Sequence, residues 1–146
     1  IMLKLNFPSF EFKLKNRNNK TFIFDILRKK MFLLTPEEWV RQHVIHFLTM
    51  TNRVPASHIG IEKKILVNKM TKRFDLVVYD KQGNVKLLIE CKAPLIKIDQ
   101  KVFDQTAIYN KYLNSDFIMI TNGMSHYYFK SCNSTKSYTF IKDFPL

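Results

Sequence analysis

Short stretches in which apolar and polar residues alternate are frequent in this chain, and a period of two indicates half-buried β-strands. Near the N-terminus, Phe10, Phe12 and Leu14 alternate with charged residues, which predicts a strand within residues 3–15. The polar residues 16–20 predict a turn, and residues 21–25 predict the returning strand of a hairpin.

Two other stretches show the apolar spacing of helices. Residues 35–51 begin with Thr35 as a capping residue, Pro36 at the first helical position and Glu38 as the reciprocal partner of a capping box. Apolar residues three and four positions apart from Val40 onward predict the buried stripe of this helix. A second helix is predicted over residues 99–113, where apolar residues recur at the same spacing.

The remaining patterns predict strands separated by turns. Strands are predicted at residues 59–67, 73–79, 85–92, 117–120, 127–130 and 137–141, with a basic turn at residues 69–72. The second and third of these strands flank a turn that contains Gly83, so we expect them to pair as a hairpin. This order of elements predicts an α/β (α+β) fold in which helices flank a mixed β-sheet.

A length of 146 residues fits a single domain. Within it we expect residues 1–34 to form an N-terminal β-hairpin region, residues 35–130 the core and residues 131–146 a C-terminal edge strand. No signal peptide or bilayer-length apolar run is recognised, so we expect no membrane association. Cys91 and Cys132 form no metal-type cluster, and we expect a reducing, cytoplasmic location.

The charge balance narrows the choice of partner. The chain has 24 Lys and Arg residues against 12 Asp and Glu residues, which gives a net charge of +12. Nucleic acid is the commonest polyanion that pairs with such an excess. A general richness in lysine, without a polyanionic partner, is the alternative.

Three charged residues interrupt the most apolar strands. Asp75 lies near the start of one strand of the predicted hairpin, and Glu90 and Lys92 lie two positions apart near the end of the other. Side chains two positions apart share a face, and an antiparallel hairpin brings the start of one strand beside the end of the next. The two carboxylates and the backbone carbonyl of Cys91 would offer hard oxygen ligands to Mg²⁺, which Mn²⁺ can replace, and Lys92 could activate water. An ion pair at a strand end is the alternative for so short a pattern.

Polar residues on the two predicted helices extend this arrangement. Glu37 precedes Val40 by three positions, so its carboxylate is expected to face the sheet, whereas Glu38 is assigned to the capping box. Gln105 and Tyr109 are four positions apart and share a face of the second helix, where both could bind a phosphate. The alternatives are a favourable first-turn carboxylate for Glu37 and exposed positions without a function for the other two.

Basic residues lie on both sides of this Asp–Glu–Lys pattern. Lys72 and Arg73 come just before Asp75, while Lys97 and Lys101 follow the second strand. These four side chains could contact the phosphates of a nucleic acid on either side of a scissile bond. A solvated lysine-rich face is the alternative.

The residues around this pattern resemble a known class of nucleases. Residues 73–79 (RFDLVVY) and 88–94 (LIECKAP) resemble the PD-(D/E)XK motif, with Phe74 in place of its proline, and residues 105–109 (QTAIY) resemble the QxxxY motif of its RecB-like branch. Together with residues 35–42 (TPEEWVRQ) and 120–123 (ITNG), they resemble the N-terminal nuclease domain of type I restriction enzyme restriction (R) subunits, in its small stand-alone form.

The resemblance implies a restriction-endonuclease-like three-layer fold and Mg²⁺-dependent hydrolysis of phosphodiester bonds in DNA. It implies that Asp75 and Glu90 are metal ligands and that Lys92 is the catalytic lysine. It also implies supporting roles for Glu37, Gln105 and Tyr109. No P-loop or glycine-rich loop occurs in the sequence, so ATP dependence is not expected.

Three functions are compatible with these observations. The first is a metal-dependent deoxyribonuclease, acting alone, as a homodimer or in a larger complex. The second is a catalytically silent nuclease-like module that binds DNA or assembles a complex. The third is a nuclease that acts on RNA.

Overall fold

Nine strands and two α-helices make up the computed structural model, which describes residues 2–146 apart from the Lys63 side chain. The strands are β1 (Leu14–Arg17), β2 (Lys20–Asp25), β3 (Lys30–Leu33), β4 (Ile59–Val67), β5 (Met70–Tyr79), β6 (Val85–Cys91), β7 (Phe117–Thr121), β8 (His126–Cys132) and β9 (Ser137–Ile141). The helices are α1 (Pro36–His46) and α2 (Gln100–Leu113).

The strands form two sheets. Strands β1, β2 and β3 make a small antiparallel sheet, and the other six lie in chain order from β4 to β9 in the main sheet. Only β6 and β7 run parallel, with α2 as their crossover, and the other neighbours in the main sheet are antiparallel. The mixed sheet expected from the sequence is therefore confirmed.

The two helices cover opposite faces of the main sheet. Apolar side chains of α1, such as Val44 and Leu48, pack in one core cluster with Leu76 and Ile89 of the sheet. Two separate clusters join α2 to the other face, one of them through Tyr109 and Phe74. The result is the predicted three-layer arrangement, in which the ends of β5 and β6 lie between helices.

Helix α1 begins as the sequence predicts, but its capping box is only half formed. The Thr35 hydroxyl accepts a hydrogen bond from the Glu38 N–H at 3.0 Å. The Glu38 carboxylate does not return to Thr35 and instead binds the side chains of Arg41, which is buried, and Arg28, which is half-buried. Beyond His46 the chain continues as a π-helical turn, Phe47–Thr51, so the predicted span of 35–51 is right while its last turn differs in geometry.

Three predictions for strands and turns were wrong in detail. Of residues 3–15, only Leu14 and Lys15 lie in a strand, β1. Phe10 and Phe12 alternate because they pack on the rings of α1 rather than fill a sheet. Strand β3 was missed, so the N-terminal hairpin is a three-stranded sheet. The basic turn is Asn68–Lys69, where both residues have positive φ, and β5 already begins at Met70.

Neither α-helix in the described part of the chain has the length and hydrophobicity needed to cross a membrane. Cys91 is buried in the core, and both cysteines are free thiols. The buried Cys91 is consistent with its place in an apolar strand.

Three histidines hold the N-terminal segment against the core. The Nδ1 atoms of His43 and His46 donate to backbone carbonyls one helical turn earlier, and both rings contact Phe10 and Phe12. His126 lies 2.7 Å from the carbonyl oxygen of Asn6 through its Nε2. Burial lowers the pKa of all three side chains.

We expect the free energy of unfolding to fall as the pH drops below about 6.5, the ordinary histidine pKa. The folded protein resists protonation of these rings while the unfolded chain accepts it, so stability is fully present above that pH and is lost below it. His46→Asn should lower stability at pH 7.5 and make the decline between pH 7.5 and 5.5 shallower, because one of the groups whose pKa is lowered in the folded protein is then absent. Urea unfolding at several pH values measures both quantities, and parallel pH profiles for the two proteins would contradict the assignment.

Candidate active site

The candidate site lies where the ladder between β5 and β6 ends. The last backbone pair of this ladder is Leu76 with Ile89, and Asp75 and Glu90 are the next residues on the two strands. The backbone N–H of Cys91 donates to Asp75 Oδ2 at 2.8 Å, so this carboxylate closes the end of the ladder. The structure therefore brings together the two carboxylates that the hairpin pattern predicted.

Glu90 is the second-last residue of β6, and Lys92 comes two positions later, directly after the strand ends. Lys92 Nζ lies 3.9 Å from Glu90 Oε1, and the Glu90 side chain is only 18% exposed. Burial and the nearby charge of Asp75 raise the pKa of Glu90 to about 9, against a smaller opposing effect of Lys92. The two carboxylates at this strand end therefore disfavour one another's charged form.

Arg41 of α1 is the site residue that the sequence patterns did not reveal. Its Nη2 atom lies 2.6 Å from Asp75 Oδ1, and its Nη1 atom lies 2.7 Å from Glu38 Oε1. Burial alone would lower the pKa of Arg41, but the charges of Asp75 and Glu38 outweigh it and raise the pKa. The signal in the sequence that could have identified Arg41 is its position directly after Val40, which belongs to the buried stripe of α1.

A buried network extends from Arg41 toward the small sheet. Gln42 Nε2 donates to Glu38 Oε2 and to Asp25 Oδ2, each at 2.9 Å. Arg28 joins the same two carboxylates from the loop after β2, at 2.8 Å from Asp25 and 3.3 Å from Glu38. The hydrogen bonds from Arg28 and Gln42 lower the pKa of Asp25 in spite of its burial. Asp75 is thus the end of a continuous chain of ion pairs and hydrogen bonds that begins at β2.

Glu37 lies at the rim of the site rather than against the sheet. Its side chain is 47% exposed, which corrects the prediction that it faces the sheet, and its Oε1 atom lies 3.5 Å from Arg41 Nη2. Partial burial and the charge of Asp75 nevertheless raise its pKa. Glu37 is exposed because it lies on the solvent side of the first turn of α1, whereas the side chains of Glu38 and Arg41 on the same helix are buried.

Gln105 and Tyr109 lie beside the site without joining it directly. Gln105 Nε2 donates to the Tyr109 hydroxyl at 3.3 Å, and the Tyr109 ring packs edge-on against Phe74 at 5.9 Å. Phe74 is the residue before Asp75, which places this pair on the α2 side of the strand end. Within the described chain, neither side chain is hydrogen-bonded to Asp75, Glu90 or Lys92.

The four predicted phosphate-binding residues have side chains that are exposed or packed on a ring beside the site. Arg73, Lys97 and Lys101 are exposed, and Lys72 Nζ lies 5.5 Å from the centre of the Tyr109 ring. None of the four is in a salt bridge among the residues that the structure describes. Their charges therefore remain available to an anion.

The donor atoms of the site suit a hard divalent cation. Asp75 and Glu90 supply carboxylate oxygens, and the Cys91 peptide lies directly beside Asp75. Each Asp75 oxygen accepts one hydrogen bond and retains a second acceptor site, while a cation between the carboxylates would relieve the repulsion that raises the pKa of Glu90. In residues 2–146 no three His, Cys, Asp or Glu side chains form a metal-binding group, so these two carboxylates would share an ion with backbone or solvent oxygens.

The comparison with protein families agrees with the motifs. Residues 36–145 match the family described as type I restriction enzyme R protein N terminus (HSDR_N). No curated protein matches the chain. The family match contains α1, the main sheet and every candidate site residue, whereas β1, β2 and β3 lie outside it.

Proposed function

The chain belongs to the family of type I restriction enzyme R protein N termini, and from this premise we propose that it is a metal-dependent nuclease that hydrolyses phosphodiester bonds of DNA. The observation that supports the proposal is the hydrogen bond to Asp75 from the backbone N–H of Cys91, the residue between Glu90 and Lys92. Two carboxylates and a lysine at one strand end are an arrangement suited to phosphate chemistry.

In this proposal Asp75, Glu90 and the Cys91 carbonyl would hold Mg²⁺ or Mn²⁺. The ion, when bound, supplies a Lewis acid that stabilises charge on the phosphate and lowers the pKa of water. Arg41 fixes the position of Asp75, because its planar fork binds Asp75 and Glu38 at the same time.

Lys92 has the role of orienting the attacking water and of stabilising negative charge that develops on the phosphate. Its ammonium group suits both tasks, since it is a compact charge with three donors and lies at the partly exposed end of β6. Glu37 stands at the rim with a raised pKa, so it can hold a water or exchange a proton with solvent.

Gln105 and Tyr109 complete the proposal as substrate contacts. The Tyr109 ring packs on Phe74, Gln105 is hydrogen-bonded to the Tyr109 hydroxyl, and neither side chain is used to hold Asp75. A phosphate that reaches the metal ligands from the α2 side would meet the Tyr109 hydroxyl and the Lys72 ammonium together.

The direct test is to incubate the purified chain with supercoiled plasmid and linear duplex DNA in Mg²⁺, in Mn²⁺ and in EDTA. We expect cleavage with either metal and none in EDTA, and an RNA duplex of matched sequence should compete weakly. Glu90→Gln purified in the same way detects a contaminating nuclease, and Asp104→Asn on the exposed face of α2 is the matched control. Cleavage that survives in EDTA or in Glu90→Gln would contradict the proposal.

A second candidate is a DNA-binding module with a silent site. The favouring observation is that both Asp75 oxygens already have partners, Arg41 at 2.6 Å and the Cys91 N–H at 2.8 Å. A silent module would bind DNA with the salt dependence typical of phosphate contacts, unaffected by Mg²⁺ and by Lys92→Ala. Calorimetry that shows no Mg²⁺ binding by the wild type, together with such DNA binding, would favour this module over the nuclease.

A further inference from the structure

Strands β4 and β5 continue past the main sheet as a two-stranded ribbon. They pair with each other as far as Val67 and Met70, but β6 accompanies β5 only to the Leu76–Ile89 pair. Residues 64–73, which we call the β4–β5 ribbon, therefore have no third strand beside them among the described residues. At about 3.3 Å per residue, the ribbon extends roughly 20 Å from Asp75 to its turn.

The two faces of the β4–β5 ribbon differ. On one face, Ile65 packs in the cluster that contains Phe74 and Tyr109, so this face rests on α2. On the other face the cross-strand pairs are Lys64 with Arg73 and Leu66 with Thr71, and all four side chains are exposed. The ribbon is thus supported from one side and open on the other.

The open parts of the ribbon combine positive charge with apolar surface. Residues 64–73 contain four basic residues and no acidic one. Leu66 is 72% exposed on the open face, and Met70, which pairs with Val67 and therefore lies on the other face, is 60% exposed at the tip beside the Asn68–Lys69 turn. These two apolar side chains at the tip are open to a partner, next to the positive charges of the ribbon.

We propose that the β4–β5 ribbon enters the major groove of duplex DNA and positions it at the candidate site. A two-stranded ribbon fits the major groove, whose walls carry phosphates that Lys64 and Arg73 would contact. Leu66 and Met70 at the tip would contact base edges, where the thymine methyl group offers an apolar partner. Because the ribbon leads directly into Asp75, its depth in the groove sets the place of cleavage relative to the bases that it contacts.

This inference rests on the proposed function, since it takes DNA as the substrate, and its test does not require cleavage. The full chain carrying Glu90→Gln serves as background, with binding to a fluorescent duplex measured by anisotropy over a range of salt concentrations. The charge variant is Lys64→Ala with Arg73→Ala, and its matched control is Lys15→Ala with Lys20→Ala on the exposed N-terminal hairpin. The tip variant is Leu66→Ser with Met70→Ser, and its control is Leu14→Ser on β1.

We expect the charge variant to reduce the slope of log affinity against log salt by roughly 1.8, the value for two lost phosphate contacts. The tip variant should keep the wild-type slope but bind duplex DNA about tenfold more weakly. Methylation of guanine N7, which lies in the major groove, should be blocked by the parent protein and restored by the tip variant. Circular dichroism confirms that each variant is folded.

Equal effects of the ribbon variants and their controls would overturn the inference, as would unchanged N7 methylation with the parent protein bound. Binding to phosphatidylserine vesicles without binding to duplex DNA would overturn it in favour of a lipid surface. If the wild type cleaves DNA and the ribbon variants bind it normally, only this inference fails. If the wild type neither binds nor cleaves DNA, the proposed function fails as well.

Discussion

Glu90→Gln and Lys92→Ala are both expected to reduce DNA cleavage by a factor on the order of 10²–10³, but for different reasons. Glu90→Gln removes a carboxylate that the proposal assigns to the metal, so calorimetry should show greatly weakened Mg²⁺ binding. Lys92→Ala removes the ammonium group that lies 3.9 Å from Glu90 and keeps both carboxylates, so Mg²⁺ should still bind. Loss of cleavage with retained metal binding is therefore the signature of Lys92.

Matched variants separate these effects from general changes in charge. Lys86 lies at the start of β6, outside the site, and Lys86→Ala removes the same charge as Lys92→Ala. We expect Lys86→Ala to retain wild-type cleavage within about a factor of three, because no phosphate or metal contact is assigned to it. If Lys92→Ala cleaves as fast as Lys86→Ala, the catalytic role of Lys92 is wrong, whereas the metal site is judged by Glu90→Gln.

The second large effect concerns stability. Arg41→Ala is expected to lower the free energy of unfolding by about 3–5 kcal/mol, the typical result of removing one partner from a buried ion pair. It leaves the buried carboxylates of Asp75 and Glu38 without the guanidinium group that binds them at 2.6 and 2.7 Å. Arg41→Lys should cost less, although a single ammonium group cannot bind both carboxylates in the same geometry.

Urea unfolding of Arg41→Ala measures this effect, with Arg17→Ala on the exposed strand β1 as the control. A loss below about 1 kcal/mol is typical of an exposed ion pair and would contradict the stabilising role of the buried contacts of Arg41. Mg²⁺ gives a second measurement. If the ion binds Asp75, it should raise the Tm of Arg41→Ala more than that of the wild type, since a second cation then replaces the missing one.

The location of Arg41 shows how a helix packed on a sheet can complete a site. The residue is 34 positions before Asp75, and only the packing of α1 across the main sheet brings the two side chains together. Glu38 was assigned to the capping box because the local pattern allows it. In the structure this carboxylate instead binds Arg41 on the same helix and Arg28 from the loop after β2, one through each oxygen.

The alternation of apolar and polar residues gave a wrong strand prediction within residues 3–15, again because the partner of these residues is distant in the chain. Phe10 and Phe12 alternate with polar residues as strand residues do, but their partners are the rings of His43 and His46. A period of two shows which residues share a face and does not show whether a strand or a helix covers that face. Strand β3 was missed because its pairing partner, β2, and not its own short sequence, stabilises it.

The sequence by itself determined the helix starts, most strands of the main sheet and the meeting of Asp75 with Glu90. These features depend on capping residues, on periodicity and on an antiparallel hairpin, all of which act between residues close in the chain. Only the tertiary structure decided that Arg41 binds Asp75, that Glu37 lies at the rim, that Asp25 joins the network and that the β4–β5 ribbon projects from the sheet. The first three depend on how α1 and the small sheet pack against the main sheet, where burial makes each charged group take the partner within reach. The ribbon projects because β6 stops pairing with β5 at Ile89.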